Sequence, residues 1–234
     1  MIVAQYRGNS SPGQLVDSSG NGYDLTVIGT SVPNPSSPTP PEGDRWLVGP
    51  SVDGVSYLLG PGAVGAGLNT RGSVTGYFNT SLGTEPGRDK DDILASFNDA
   101  VVGIGTKFLI VLDSTGPFGQ VRIYFIQVSP SLVFADYFFA DVGSDHTFEV
   151  LWTPSGTELY IDSLLVASSS SNPTIPTDNI TISGLNFGSM ASDYTYMDDF
   201  IFTYNPDFGG KGIETGNIDS GDIDTGNISG GSIG

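Results

Sequence analysis

The sequence predicts an all-β protein, an antiparallel β-sandwich followed by an extended repeat tail. Short apolar runs with period-two alternation recur along the chain, and turn residues separate them at intervals of about 8–12 residues. The 234 residues include 33 Gly and 15 Pro, which favour many short strands and tight turns over long helices. Aromatic residues make up 11% and hydrophobic residues 38% of the chain, which is enough to fill a sandwich core.

About twelve strands are predicted in chain order. An entry segment leads to the first strand at 23–28, and a proline-rich loop covers 31–44. Residues 46–59 are predicted as two strands around a turn at Asp53-Gly54, because this pair adopts positive φ at low cost. The later strands are predicted at 73–80, 93–98, 107–113, 120–128, 132–139, 147–152, 157–167, 179–187 and 194–204. The sandwich domain is assigned to residues 1–208.

Three segments carry a more specific signal. Residues 16–26 read VDSSGNGYDLT, residues 147–167 read TFEVLWTPSGTELYIDSLLVA, and residues 197–202 read MDDFIF. In this order they resemble the laminin-G-like, concanavalin A-like jelly-roll family, which has a turn, a hairpin with a T-x-x-G-T-x-L-Y-I-D-G core, and a closing D-D strand. The resemblance implies a jelly-roll sandwich that binds other molecules and rarely catalyses a reaction.

The charge of the chain excludes several partners. There are 26 Asp+Glu against 8 Lys+Arg, a formal net charge of −18. Nucleic acids and anionic membranes are bound through clustered cations, so neither is a predicted partner. The acidity has two interpretations that stay open, namely Ca²⁺ sites built from carboxylates and adaptation to high salt.

The chain also lacks several functional elements. With no cysteine it has no disulfide and no zinc–thiolate site. No run of about 18 apolar residues predicts insertion into a bilayer. The first residues, MIVAQYR, do not resemble a signal peptide, so we expect synthesis in a cytoplasm.

Catalytic patterns are missing as well. Glycoside hydrolases of this architecture carry an E-x-D-x-x-E strand, and Glu149 stands alone as a single outward-facing acid. The only histidine, His146, lies at a strand start and is predicted to be a polar structural residue. No glycine-rich phosphate loop is present. We therefore predict that the protein is not an enzyme.

The resemblance implies a possible cofactor, since a Ca²⁺ ion often sits at strand ends in this superfamily. Asp17 in the early turn and Asp198 in the closing strand are the predicted metal ligands. The alternative for Asp17 is capping of its turn. Because neighbours in a strand face opposite sides, at most one of Asp198 and Asp199 is expected to reach a given site.

Glycan binding would require exposed aromatic rings beside planar polar groups. The consecutive aromatics at 137–139 are predicted to be core or inter-subunit contacts instead. The sequence identifies no ligand pocket.

The last 26 residues, 209–234, repeat with a period of five. Isoleucine recurs in this tail at Ile213, Ile218, Ile223, Ile228 and Ile233. The pattern resembles pentapeptide-repeat β-solenoids, but one coil cannot bury its own isoleucines. Two interpretations remain: a frayed polar tail, or an oligomerisation and docking segment that buries them against copies of the chain or another partner.

These features predict a non-enzymatic structural or attachment protein on the surface of a virus particle, such as a head decoration, turret or tail-fibre component of a tailed virus. The expected partners are other virion proteins, copies of the chain in a homotrimer or higher oligomer, and host surface glycans. The expected location is the virion, after synthesis in the host cytoplasm. The alternative is a calcium-dependent carbohydrate-binding adhesin module of a cellular surface protein.

Overall fold

All regular structure in the described part of the chain is β. The computed structural model describes residues 2–6, 14–28, 33–34, 46–48, 57–59, 71–80, 91–98, 107–114, 119–127, 132–171, 173, 179–187 and 195–204. Their strands are β1 (Ile2–Tyr6), β2 (Gln14–Leu15), β3 (Leu25–Ile28), β4 (Pro33–Asn34), β5 (Trp46–Val48), β6 (Tyr57–Leu59), β7 (Gly72–Thr80), β8 (Asp91–Asn98), β9 (Lys107–Asp113), β10 (Val121–Gln127), β11 (Leu132–Phe139), β12 (Asp145–Thr153), β13 (Gly156–Ile161), β14 (Leu164–Ser169), β15 (Asn179–Phe187) and β16 (Thr195–Tyr204). Over these ranges no helix is long and apolar enough to cross a lipid bilayer.

The strands form two eight-stranded antiparallel sheets. Sheet A has the order β14-β13-β12-β7-β16-β5-β4, and β1 also pairs with β16. Sheet B has the order β11-β10-β9-β8-β15-β6-β3-β2. At one side of the sandwich, β11 of sheet B contacts β13 and β14 of sheet A. This architecture confirms the predicted antiparallel β-sandwich.

The core is a layer of aromatic rings between the sheets. Trp152 of β12 is fully buried and packs edge-on against Phe97 of β8, with ring centroids 5.7 Å apart. Phe125 of β10 lies 6.0 Å from the same indole, and Phe202 of β16 lies 5.9 Å from Phe97. Rings from both sheets therefore interlock, and in β10 the buried positions follow the period-two alternation of the strand.

Two details of the predicted strand pairing are wrong. The predicted hairpin over 46–59 does not exist, because β5 pairs with β4 and β16 in sheet A while β6 pairs with β3 and β15 in sheet B. The predicted single strand 157–167 is broken into β13 and β14 by a two-residue turn at Asp162-Ser163. A turn signal does not select the pairing partner, and the second turn uses Ser163 at φ 67° where such turns prefer glycine.

The short strands β1, β2 and β4 were not predicted, since two to five residues carry too little alternation to be recognised. β4 starts at Pro33, within the predicted proline-rich loop, and pairs with β5 at the edge of sheet A. Proline is compatible with an edge strand, where its missing N–H is not needed.

Candidate functional site

The outer face of sheet B carries a group of four polar and aromatic side chains. Strand β10 alternates buried with half-buried residues, which places Arg122 and Tyr124 on that face. The antiparallel register sets Phe138 of β11 opposite Arg122, and Asp136 opposite Tyr124. We refer to Arg122, Tyr124, Asp136 and Phe138 as the aromatic–guanidinium patch.

Arg122 is the centre of the patch and is held in one orientation. Its Nε donates to Oδ1 of Asp136 at 2.7 Å, and its Nη2 donates to Oδ2 at 2.6 Å. Its Cζ lies 4.5 Å from the ring centroid of Tyr124 and 5.8 Å from that of Phe138. A two-point ion pair and two adjacent rings restrict the guanidinium, so little side-chain entropy remains to be lost when a ligand binds.

The electrostatics of the patch combine one cation with two carboxylates. The hydrogen bonds that Arg122 donates to Asp136 raise the pKa of the guanidinium further, although burial opposes that shift. Asp113 of β9 is opposite Arg122 in the register, and its Oδ2 lies 3.9 Å from Nη1. The side chain of Asp113 is buried, whereas that of Asp136 is partly exposed. The guanidinium therefore stays charged, and the exposed acid beside it is Asp136.

Phe138 gives the patch an apolar surface that solvent can reach. Its side chain is 42% exposed, while its neighbour Phe139 is buried and Tyr137 packs against the core. The expectation that these aromatics are core or inter-subunit contacts is therefore met by core packing at 137 and 139, whereas alternation turns Phe138 outward, where an inter-subunit contact stays a prediction. An exposed ring beside fixed planar donors and acceptors can stack on an apolar face and bind hydroxyl groups at its rim.

Asp17, a predicted metal ligand, is buried at the centre of the early turn. Its Oδ1 accepts the backbone N–H groups of Gln5 and Ser19 at 3.0 and 2.9 Å. Its Oδ2 accepts the Ser19 hydroxyl at 2.8 Å and the Tyr23 N–H at 3.0 Å. Burial opposes ionisation, but these hydrogen bonds outweigh it and lower the pKa of Asp17. A cation would have to compete with four donors, and the structure thus gives Asp17 the turn-organising role proposed as the alternative.

Asp198, the other predicted ligand, lies on β16 where the strand bulges. The register shifts between Asp198 and Ile201, and Asp199 has a φ of 47°. Met197 and Phe200 are both in the core, so the bulge places two residues, Asp198 and Asp199, between consecutive inward positions, and Asp198 is buried. The expectation that Asp198 and Asp199 face opposite sides assumed a regular strand, and β16 is irregular at this point.

Asp17 and Asp198 do not form a ligand cluster in the described structure. Asp198 Oδ1 accepts the Asp199 N–H at 2.7 Å. The Gln5 side chain donates to Oδ1 of Asp199 at 3.4 Å, and the Gln5 backbone N–H donates to Asp17. Asp199 is therefore linked to Asp17 through Gln5. Among the residues with described positions, no group of three or more His, Asp or Glu could hold a metal ion. Their role in binding Ca²⁺ stays a prediction.

The outer face of sheet A has a hollow of about 220 Å³. Tyr77, Glu149, Tyr160, Ser163 and Asp199 are among its lining residues. Two of them, Ser163 and Asp199, have positive φ, and backbone strain of this kind often gathers at functional sites. However, Tyr160 is buried and donates its hydroxyl to Glu158 at 2.6 Å, so its ring is not an exposed platform. The aromatic–guanidinium patch is therefore the stronger candidate site.

His146 is buried and bonded through both ring nitrogens. Nδ1 lies 2.8 Å from Oδ2 of Asp162, and Nε2 lies 2.6 Å from the carbonyl oxygen of Asp141. Asp162 also accepts the Thr147 N–H through Oδ1 at 2.9 Å. The histidine thus joins the loop before β12 to the turn between β13 and β14, which agrees with its predicted structural role.

The predicted docking residues and the aromatic–guanidinium patch are different parts of the chain. The five tail isoleucines at 213–233 lie outside the described residues. The patch itself was missed, although alternation in VRIYF at 121–125 and the spacing of Asp136 and Phe138 could have placed each residue on an outer face. What the sequence could not supply is the register that sets these two strands side by side.

Solved structures with a similar fold are binding domains of botulinum neurotoxins. The serotype D binding domain aligns with a TM-score of 0.60 and 12% identity, over 87% of this chain and 48% of its own. The serotype DC binding domain in complex with SialylT gives a TM-score of 0.57 and 14% identity, and the one in complex with rat synaptotagmin II gives 0.59 and 13%. Each of these two alignments also covers 87% of this chain and 48% of the other.

These comparisons define the class of fold. The chain is an antiparallel β-sandwich of the jelly-roll class, and it spans about half the length of the solved structures that it matches. Identities of 12–14% show a common fold alone. No family model and no curated protein matches the sequence.

Proposed function

We propose that this chain is a non-enzymatic binding module that contacts surface glycans through the aromatic–guanidinium patch. The observation that carries the proposal is Arg122, fixed by Asp136 beside the exposed ring of Phe138. Ring faces stack on the C–H faces of sugars, and a guanidinium–carboxylate pair offers donors and acceptors to neighbouring hydroxyls. The similar folds support it, since one is a binding domain in complex with SialylT and another is in complex with rat synaptotagmin II.

The larger setting that we propose is the surface of a virus particle, with other virion proteins and copies of this chain as partners. The laminin-G-like resemblance favours an attachment role, and the repeat at 209–234 suits docking or symmetric assembly. A calcium-dependent adhesin module of a cellular surface protein is the second candidate, and Asp17 and Asp198 are its proposed metal ligands.

Replacing Phe138 by alanine is expected to weaken glycan binding at least about tenfold, because the exposed stacking surface of the patch is lost. Affinity is measured by titration calorimetry with oligosaccharides that the wild-type chain captures on a glycan array. Leu164→Ala is the matched control, since Leu164 is a 69% exposed apolar residue at the edge of the other sheet. Unchanged binding by Phe138→Ala would contradict the proposed site. Loss of wild-type binding in a chelator would favour the adhesin candidate.

Deleting residues 209–234 is expected to convert an oligomer into a monomer while the sandwich stays folded. Light scattering gives the mass of both forms, and circular dichroism gives their melting temperatures. A truncated chain that keeps its full oligomeric mass would contradict the assembly role of the tail. A full-length monomer would direct the search to a different partner protein.

A further inference from the structure

We infer that the aromatic–guanidinium patch selects neutral saccharides over anionic ones, and that Asp136 determines this selectivity. The inference rests on the proposed function of the patch and concerns the charge class of its ligand. It follows from how the donors of Arg122 are used and from the balance of charge around them.

The first step is the inventory of donors on Arg122. A guanidinium has five N–H groups, and Asp136 takes one from Nε and one from Nη2. Nη1 lies 3.9 Å from Asp113, which is beyond hydrogen-bond length. In the described part of the chain no other group accepts a hydrogen bond from Arg122, whose side chain is 27% exposed. Three donors therefore remain for a ligand, on the end of the guanidinium that Asp136 does not occupy.

The second step is the local charge. Arg122 is accompanied by the carboxylates of Asp136 and Asp113, so the centre of the patch carries one negative charge in excess. A carboxylate ligand at the free end of the guanidinium would pair with a positive charge that Asp136 and Asp113 already neutralise. It would also lie within a few ångströms of the exposed Asp136, where like charges repel. The formal net charge of −18 adds repulsion on approach, screened over about 8 Å at physiological salt.

The third step is the fit of a neutral polyol. Each hydroxyl both donates and accepts, so neighbouring hydroxyls can accept from Nη1 and Nη2 and donate to the exposed oxygens of Asp136. The rings of Tyr124 and Phe138 both lie within about 6 Å of the guanidinium, at 4.5 and 5.8 Å, which places an apolar surface for a sugar face beside the groups that bind hydroxyls. A neutral saccharide therefore uses every group of the patch without a charge penalty.

The experiment compares neutral oligosaccharides with the same oligosaccharides carrying a terminal sialic acid, titrated into the full chain. We expect the wild-type protein to bind the sialylated form at least about tenfold more weakly than the neutral form. Added salt is expected to reduce this difference in affinity, because it screens the repulsion. Asp136→Asn is expected to raise the affinity for the sialylated form relative to the neutral form about tenfold, because it removes the repelling charge, and to weaken binding of the neutral form, because it removes the ion pair that holds Arg122. Glu158→Gln removes the same charge from the other sheet and is expected to leave the ratio unchanged.

The outcomes separate this inference from the proposal on which it rests. Equal or tighter binding of the sialylated form, reduced by Phe138→Ala, would overturn the selectivity and leave the glycan site intact. A ratio that Asp136→Asn does not move would overturn the role of Asp136. Failure of both oligosaccharide classes to bind would overturn the proposed function and the inference together. Circular dichroism confirms that each variant is folded.

Discussion

Replacing Gly156 by alanine is expected to lower the free energy of unfolding by about 3 kcal/mol or more, the upper range for overpacking of a fixed backbone contact. Gly156 has a φ of 147°, and a Cβ added there would lie 2.1 Å from the carbonyl oxygen of Ser169. The same Cβ would lie 3.1 Å from the Cα of Ser170, so backbone atoms and not a flexible side chain must give way. Urea denaturation followed by tryptophan fluorescence measures the loss.

Gly119→Ala is the matched control for this prediction. Gly119 also has a positive φ, 82°, but nothing lies within 4 Å of the position of its Cβ. Its substitution is expected to cost only about 1–2 kcal/mol, the strain of a left-handed alanine. An equal loss of stability in both variants would contradict this prediction. It would mean that Gly156 is required for its positive φ alone and not for the close contact with Ser169 at the end of β14.

The contact at Gly156 also explains why the hairpin at 153–157 could be predicted from the sequence. The T-x-x-G-T pattern at 153–157 needs glycine at 156 because Ser169, thirteen residues later, lies directly over it, and Thr157 Oγ1 donates to the Ser171 carbonyl at 2.8 Å. A constraint of this kind leaves one residue type at one position. The same applies to the early turn, where Asp17 accepts four hydrogen bonds.

The candidate site was harder to predict because it depends on strand register. Arg122, Asp136 and Phe138 are ordinary alternating residues in their own strands, and only the β10–β11 pairing makes them a patch. The bulge at Asp199 is a similar case, since it appears in sequence only as two core residues, Met197 and Phe200, spaced by three instead of two. Local alternation predicts which face a residue occupies, whereas non-local pairing decides its neighbours.

His146 offers a second large effect, because its two partners are both hydrogen-bond acceptors. The carboxylate of Asp162 and the carbonyl oxygen of Asp141 can both be satisfied only when Nδ1 and Nε2 each carry a proton. Burial by itself would lower the pKa of His146, but the hydrogen bonds to Asp141 and Asp162 outweigh it and raise the pKa above its ordinary value. The protonated ring holds the Asp162-Ser163 turn, where both residues have positive φ.

Replacing His146 by glutamine is therefore expected to destabilise the fold by about 2 kcal/mol at acidic pH, the worth of hydrogen bonds to a charged group. Because the pKa of His146 is higher in the folded state, the folded protein binds the proton more tightly than the unfolded chain. The stabilisation by the protonated ring is complete at pH values below the pKa of histidine in the unfolded chain, about 6.5. It is lost as the pH rises through the folded pKa. The difference in unfolding free energy between wild type and His146→Gln should thus shrink with rising pH above the range in which Asp162 titrates, while contributions from carboxylates that do not contact His146 cancel between the two proteins. Because His146 is the only histidine, its NMR titration gives the folded pKa directly. A difference that stays constant with pH, or a folded pKa below that of an unfolded peptide, would mean that the ring is held as a neutral imidazole.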